Sequence, residues 1–237
     1  MSYFVKKHNN LNKAYIGLTL IQYRLILLAS SSKFIKEGPI TPETLIRINA
    51  HDYHEIYGTS NDMTWSYRVI KDAALSLFEA HLSFQTIDAE SKKGVWKEKV
   101  RWVSKCAYND EIKAVEIRFT VDVLPYIQEL SENYTYFALK SMSRLGSLHS
   151  IRLYELAVMW RKGGKTQLFS IPELKSMLNI HEDEYEDTKS FTRAVLKKSC
   201  EEISKKTDIN LSYEPEKEGR KIVGFRLIST SNKKQIA

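Results

Sequence analysis

From Glu186 to Thr207 apolar residues recur at helical spacing: Phe191, Val195, Leu196, Cys200 and Ile203 share one arc and predict a helix with one buried face. Asp187 or Thr188 supplies its N-cap, and Glu184 and Glu186 suit the positive end of its dipole. Leu18 to Ser30 is apolar on nearly every side apart from Gln22, Tyr23 and Arg24, which predicts a mostly buried helix. Ser147 to Arg161 predicts another, stopped by Gly163-Gly164, and Met63 to Ala80 a longer one with core candidates Trp65, Val69, Leu75 and Phe78. Residues 1 to 17 read as a loose lead-in. Gly38-Pro39 breaks the chain, and Ile40-Thr41-Pro42-Glu43 reads as an extended piece, a cap at Thr41 and a first-turn Pro opening a short helix to about Asn49. His51 to Tyr57 adds another turn or two.

The period changes to two at Leu82 to Ile87, Lys97 to Tyr108 and Ala114 to Val121, which predict strands, with turns at Ser91-Lys92-Lys93-Gly94 and Asn109-Asp110. A short helix over Val123 to Leu130 and an extended Tyr134 to Leu139 follow. Phe169-Ser170-Ile171-Pro172-Glu173 again gives an extended piece, a cap and a first-turn Pro, before a short helix over Leu174 to Leu178. Ile209 to Tyr213 and Ile222 to Ser229 predict two strands with a turn over Glu214 to Gly219.

Set side by side, the halves repeat. Arg24-Leu25-Ile26-Leu27-Leu28-Ala29 answers Arg152-Leu153-Tyr154-Glu155-Leu156-Ala157, and Ile40-Thr41-Pro42 answers Ser170-Ile171-Pro172. Arg68-Val69-Ile70 answers Arg193-Ala194-Val195, and Leu82-Ser83-Phe84 answers Leu211-Ser212-Tyr213. A repeat this long is a duplicated domain rather than a solenoid unit. The common order of helix, short strand, helix, helix and β-hairpin is that of a winged helix, whose third helix reads a groove and whose hairpin meets phosphates. The expected fold is α+β, two tandem winged-helix domains, with an N-terminal domain over residues 1–130 and a C-terminal domain over 131–237.

A formal net charge of +7 favours an anionic partner. Lys189, Arg193 and Lys197 lie four apart, and steps of four drift only about 40° around a helix, so they form a basic stripe beside the apolar arc. Such a helix can lie in a DNA major groove. Two cysteines without a Cys/His cluster exclude a disulfide framework and argue against a zinc site. The polar stretch Met1 to Asn12 gives no secretory signal, and the most apolar stretch contains Gln22 and Arg24 and is too short for a bilayer span. A soluble cytoplasmic protein without a membrane partner is expected.

Ser147-Leu148-His149-Ser150-Ile151-Arg152-Leu153-Tyr154-Glu155-Leu156 resembles the L-x-S-x-Y-S-x-R-L-Y-E-L helix of plasmid replication initiator proteins, the iteron-binding type built from two winged helices. Phe191-Thr192-Arg193-Ala194-Val195-Leu196, with Glu202-Ile203-Ser204 and Thr207-Asp208-Ile209, resembles that family's F-K-x-x-V-L-x-x-A-x-x-E-I-N-x-x-T-D-L recognition helix. His149 replaces a frequent aromatic and Ser204 a frequent Asn. The resemblance implies a protein that binds direct repeats (iterons) in a plasmid origin, promotes opening of adjacent DNA and recruits the host replication initiator and helicase. It also implies a homodimer in equilibrium with monomer, which binds an operator inverted repeat and represses its own promoter. Main base contacts would come from the C-terminal domain, and further DNA contacts and much of the dimer interface from the N-terminal one.

By position in the recognition helix, the resemblance assigns DNA contacts to Lys189, Ser190, Arg193 and Lys197. Arg193 is the best base reader, because its planar fork can grip guanine O6 and N7 together. Lys217, Arg220 and Lys221 flank the second hairpin turn, where wing-to-phosphate contacts belong. In the first domain the equivalent helix offers Arg68 and Lys71, with Trp65 a core candidate, and the presumed wing offers Lys92 and Lys93. Lys97, Lys99, Arg101 and Lys105 give the next strand a basic outer face for DNA or a partner sheet.

No catalytic residue, cofactor or metal is expected. His51-Asp52-Tyr53-His54-Glu55 lacks the HExxH zinc order, and the chain has no GxxxxGK[ST] loop or GxSxG elbow. The acidic run from His181 to Asp187 lacks the spacing and glycine of a calcium loop. A double winged-helix transcription regulator without an origin role is the alternative. A DNA-nicking enzyme is a third class, with no tyrosine placed in a basic metal site to support it.

Overall fold

The computed structural model describes residues 3–32, 34, 40–58, 62–87, 94–128, 132–181 and 183–232. In chain order it runs β1 (Phe4–His8), α1 (Asn9–Lys13), α2 (Leu20–Ala29), β2 (Ile46–Asn49), α3 (Ala50–Tyr57), α4 (Met63–Leu77), β3 (His81–Ile87), β4 (Val95–Arg101), β5 (Val103–Asn109), β6 (Ala114–Phe119) and α5 (Leu124–Ile127). Then follow β7 (Tyr134–Ala138), α6 (Leu139–Met142), α7 (Leu148–Met159), β8 (Phe169–Ser170) and α8 (Ile171–Met177). A helix made of Thr188–Phe191, Thr192–Lys197 and Lys198–Lys206 without interruption is α9, and β9 (Ile209–Glu218) and β10 (Lys221–Ser231) close the chain.

Two winged helices are present. The first is α2, β2, α3, α4 and the hairpin β3–β4; the second is α7, β8, α8, α9 and the hairpin β9–β10. They differ at the sheet. In the second, β8 joins the wing in the order β8-β10-β9, whereas in the first β2 pairs instead with β6, in the order β2-β6-β5. The chain switches from the wing to that second sheet at Trp102, fully buried, whose N–H donates to Ala80 O and whose carbonyl accepts from Thr120. The single strand expected from Lys97 to Tyr108 is therefore two strands in two sheets.

Three further expectations are corrected. The lead-in is ordered: β1 pairs antiparallel with β7 from Phe4 opposite Ala138 to His8 opposite Tyr134. The helix expected after Pro42 is a turn closed by Thr44 N–H onto Thr41 O, followed by β2, in which Ile46 and Ile48 are buried and Arg47 and Asn49 exposed. That moves the repeat. The counterpart of the Ser170–Glu173 capping box is Asn49–Asp52 at the start of α3, and not the Ile40-Thr41-Pro42 block. Finally, α4 buries Ser66, Tyr67, Ile70, Ala73, Ala74 and Leu77, and leaves Leu75 and Phe78 exposed.

The two units share one core, and polar groups stitch them together. Arg152 and Glu155 on α7 are buried with Lys7 of β1 and Tyr23 of α2. Glu155 accepts from Lys7 Nζ at 2.6 Å, from the Tyr23 hydroxyl at 2.8 Å and from Arg152 Nη1 at 3.3 Å. Burial pushes the Lys7 ammonium down to about 7, against the pull of Glu155. The unfolded chain keeps that proton to about pH 10. Between those values the unfolded state binds more protons than the folded one, so stability from this position rises with pH. Lys7→Met is expected to remove that rise from urea-unfolding free energies measured between about pH 7 and about pH 9. An unaltered profile would mean that folded Lys7 keeps its charge throughout.

Candidate nucleic-acid interface

The third helix of the second winged helix is built to present cations. Asp187 caps it, accepting the Ser190 N–H at 2.7 Å, and hydrogen bonds from the Ser190 side chain and then its backbone hold the Asp187 carboxyl below its usual range. Phe191, Val195, Leu196, Cys200 and Ile203 are buried, as the apolar arc requires. Phe191 packs at 6.3 Å against Phe225 of the wing, which ties helix and wing together. Lys189, Arg193 and Lys197 are exposed and take part in no ion pair among the described residues, while Ser190 is half-buried. The stretch Thr192–Lys197 is π-helical. Its wider turn offsets the drift of steps of four, so the basic stripe runs straighter than on a uniform α-helix.

The second wing is longer than expected. Its strands run to Glu218 and from Lys221, so that only Gly219 and Arg220 form the turn, with Gly219 at φ +61°. Lys217, Arg220 and Lys221 are all exposed at this tip. Lower on the hairpin the charges neutralise one another, as in Lys165–Glu214 at 2.6 Å. Among the described residues Lys217, Arg220 and Lys221 have no ion pair.

In the first winged helix Arg68 is exposed on α4 and has no ion pair among the described residues. Lys71 is not free: Asp110, in the β5–β6 turn, accepts from its Nζ at 2.8 Å, and the ammonium lies 3.8 Å from the centre of the Tyr108 ring. Asp110 also accepts from the Tyr67 hydroxyl at 2.7 Å. Trp65 is half-buried. Lys92 and Lys93 lie outside the described residues. Lys97 and Lys99 line an open cleft beside Lys13, Glu98 and Glu173, between the first wing and α8.

The polar groups that invited catalytic readings serve the fold. Asp52 accepts the Asn49 N–H at 3.1 Å, His54 Nδ1 is 2.9 Å from Ser66 Oγ, and Glu55 accepts from the Tyr3 hydroxyl at 2.6 Å. Among the described residues no group of three or more His, Cys, Asp or Glu is placed to hold a metal. Nor is any helix long and apolar enough to cross a membrane. Burial raises the thiols of Cys106 and Cys200 to about 11 and about 12, which leaves both unreactive near neutral pH.

Comparison with known proteins agrees with this construction. Residues 4–158 match the family described as "Initiator Replication protein, WH1", and residues 170–228 match "Initiator Rep protein, WH2". The chain belongs to the initiator replication protein family. That makes it a replication initiator, a DNA-binding rather than a catalytic class of protein. The first match extends through α7, past the boundary near residue 130 expected from the repeat. Two Escherichia coli relatives span the initiator: "PI protein", 26% identical over 92% of this chain and 79% of its own length, and "Uncharacterized 27.6 kDa protein", 24% identical over 96% and 95%. Its fold superposes on a crystal structure of Pi initiator protein in complex with iteron DNA, with a TM-score of 0.80 over 97% of this chain and 98% of that one, at 24% identity. Domains 2 and 3 of RctB share the fold more distantly, with a TM-score of 0.51 over 89% of this chain and 81% of that one, at 9% identity.

Sequence reasoning missed Arg24 and Arg152 as working residues. It used both as markers of the repeat, and that repetition at one position of two domains was itself the available signal.

Proposed function

We propose that this initiator binds short direct repeats, iterons, in a plasmid origin, with both winged helices on one site. The observation that carries the reading is the pair of third helices, each presenting an exposed arginine at the same place in the repeat, Arg68 and Arg193. The second adds Lys189 and Lys197 and a wing tip of Lys217, Arg220 and Lys221. The Pi protein, whose fold this chain shares along nearly its whole length, was crystallised on iteron DNA. In this reading α9 lies in a major groove, the wing tip meets phosphates, and α4 makes the secondary contacts. Lys71 reaches DNA only by leaving Asp110.

Binding in the cytoplasm then distorts adjacent DNA and brings in the host replication initiator and helicase. A dimer represses the promoter through an inverted repeat. Support for dimerisation comes from β5, an edge strand of its sheet that leaves Tyr108 exposed, a surface open to pairing by a second copy.

Selection of binding sites from random duplex DNA, with the winner titrated against salt, tests the proposal. A site of about two helical turns is expected, with log affinity falling against log salt by about 0.9 per phosphate contacted. Replacing Lys217, Arg220 and Lys221 together with alanine should lower that slope by about 0.9 for each phosphate lost. Recovery of a symmetric palindrome alone would favour the regulator without an origin role. Absence of any enriched sequence would overturn specific recognition.

A further inference from the structure

The first helices of the two winged helices carry an arginine at the same place in the repeat, Arg24 on α2 and Arg152 on α7, and each reaches into the other unit. Arg152 Nη2 donates to the carbonyls of Leu11, Asn12 and Ala14 at 3.1, 2.8 and 2.9 Å. That segment leads into Thr19, the N-cap of α2. Arg24 Nη2 donates to the carbonyls of Leu145 and Ser143 at 2.8 and 3.4 Å. Those residues lead into Ser147, the N-cap of α7. Each first helix therefore holds the entry of the other, a reciprocal arrangement that the duplication makes possible. A guanidinium suits the task because its rigid, permanently charged fork binds several carbonyls at fixed angles.

The two halves of the arrangement differ in strength. Arg152 is buried and neutralised by Glu155, and its Nε donates to Met177 O at 2.9 Å. Arg24 is half-buried against the Tyr57 ring at 5.0 Å, and its Nε lacks a partner among the described residues. Between them Asn179, at the end of α8, closes the same seam. Its Oδ1 accepts from Gly17 N–H at 2.7 Å, and its Nδ2 donates to Leu18 O at 3.1 Å. Gly17 has φ +59°, and a Cβ there would stand 2.6 Å from His81 O, so the strand-like strap it belongs to is held tightly against the first unit as well.

We infer that Arg24 and Arg152 form a reciprocal clasp that fixes the separation and rotation between the two recognition helices, and so makes spacing within the DNA site a determinant of specificity. The inference rests on the proposed reading that both winged helices engage one site. Two modules joined rigidly gain from each other only where the geometry allows both to bind. One inserted base pair moves the second half-site by about 3.4 Å and turns it by roughly 35°. A clasped protein cannot follow that change; a loosened one can. Arg24 and Arg152 are positioning residues here, and neither is assigned a contact with DNA.

The test uses the full chain and Arg24→Ala, chosen because Arg24 is the more exposed partner and has no ion pair among the described residues. On the selected site, and on the same site with one base pair inserted between the halves, the unaltered chain should lose at least ~100-fold in affinity, and Arg24→Ala under ~10-fold. Arg24→Lys, which keeps the charge but not the fork, should behave like the alanine variant. A second readout needs no DNA. Spin labels at Glu111→Cys and Glu201→Cys, both exposed positions, are compared in a chain with Cys106→Ser and Cys200→Ala. One narrow distance is expected with Arg24 present and a broadened distribution without it. Equal spacing penalties and equally narrow distances in both proteins would overturn the clasp while leaving the DNA reading intact. No sequence-specific binding by the unaltered chain would overturn the DNA reading, and a distance that stays narrow in Arg24→Ala would overturn the clasp independently.

Discussion

Glu155→Ala is expected to destabilise the fold by ~3–5 kcal/mol, more than any other single substitution considered for this chain. The carboxylate has no solvent exposure and faces two buried cations, Lys7 and Arg152, as well as the Tyr23 hydroxyl. Removing it leaves both cations in a low-dielectric interior without a counter-charge, and that penalty exceeds the loss of the hydrogen bonds themselves. Lys7 can escape by releasing its proton. Arg152 cannot, and remains charged against the carbonyls of Leu11, Asn12, Ala14 and Met177, which offset only part of the cost. Glu155→Gln keeps a similar shape and one acceptor, but it removes the charge and turns an NH2 donor toward donors in place of the second acceptor, so its loss should approach that of the alanine variant. Urea unfolding monitored by tryptophan fluorescence and by far-ultraviolet dichroism gives both numbers. A loss below ~1 kcal/mol for the alanine variant would show that the cations are not relying on Glu155.

That network also explains why part of the fold was hidden in the sequence. Phe4-Val5-Lys6-Lys7-His8 reads as polar lead-in because one of its inward positions is a lysine, Lys7, and the groups that make its burial tolerable lie on α2 and α7, far along the chain. Local pattern carries no trace of them. The long periodic elements were legible: α2, α7, α9 and the wing strands follow from apolar spacing and caps. The miss at α4 has a different cause. Its buried face mixes Tyr67, Ile70 and Leu77 with Ser66, Ala73 and Ala74, small residues that let helices approach closely, while the larger Leu75 and Phe78 stay outside. Phe78 instead carries the Arg101 guanidinium at 5.1 Å. Side-chain size misdirected the choice of face. For β2, four residues with two isoleucines gave too little period to outweigh Pro42, yet the Asn49-x-x-Asp52 pattern, matching Ser170-x-x-Glu173, marked where α3 begins. Among the candidate cations, exposure of Lys189, Arg193 and Lys197 follows from their place beside the apolar arc, at its solvent edge. Capture of Lys71 by Asp110 and Tyr108 does not, because the turn that supplies them is distant in sequence.

Arg193→Ala is expected to cost ~1–3 kcal/mol in binding to the selected site and to relax preference at one base pair. The argument is geometric. Among the exposed cations of α9's stripe, Lys189, Arg193 and Lys197, only Arg193 carries a planar fork able to meet two acceptors of one guanine, and it is the middle one of the three. Lysines on either side act as point charges and suit phosphates or single acceptors. Loss of Arg193 should therefore show in discrimination more than in general affinity. Binding is measured on the selected site, on a panel with each base pair changed in turn, and on random DNA at one salt concentration. For the unaltered chain one position in the panel should be penalised heavily, and in Arg193→Ala that penalty should shrink while the others persist. Lys197→Ala, by contrast, should weaken all sequences alike and reduce the salt slope. If Arg193→Ala also weakened specific and random DNA equally, with every base penalty intact, Arg193 would be a phosphate contact, and base reading would have to come from Lys189, Ser190 or the helix backbone.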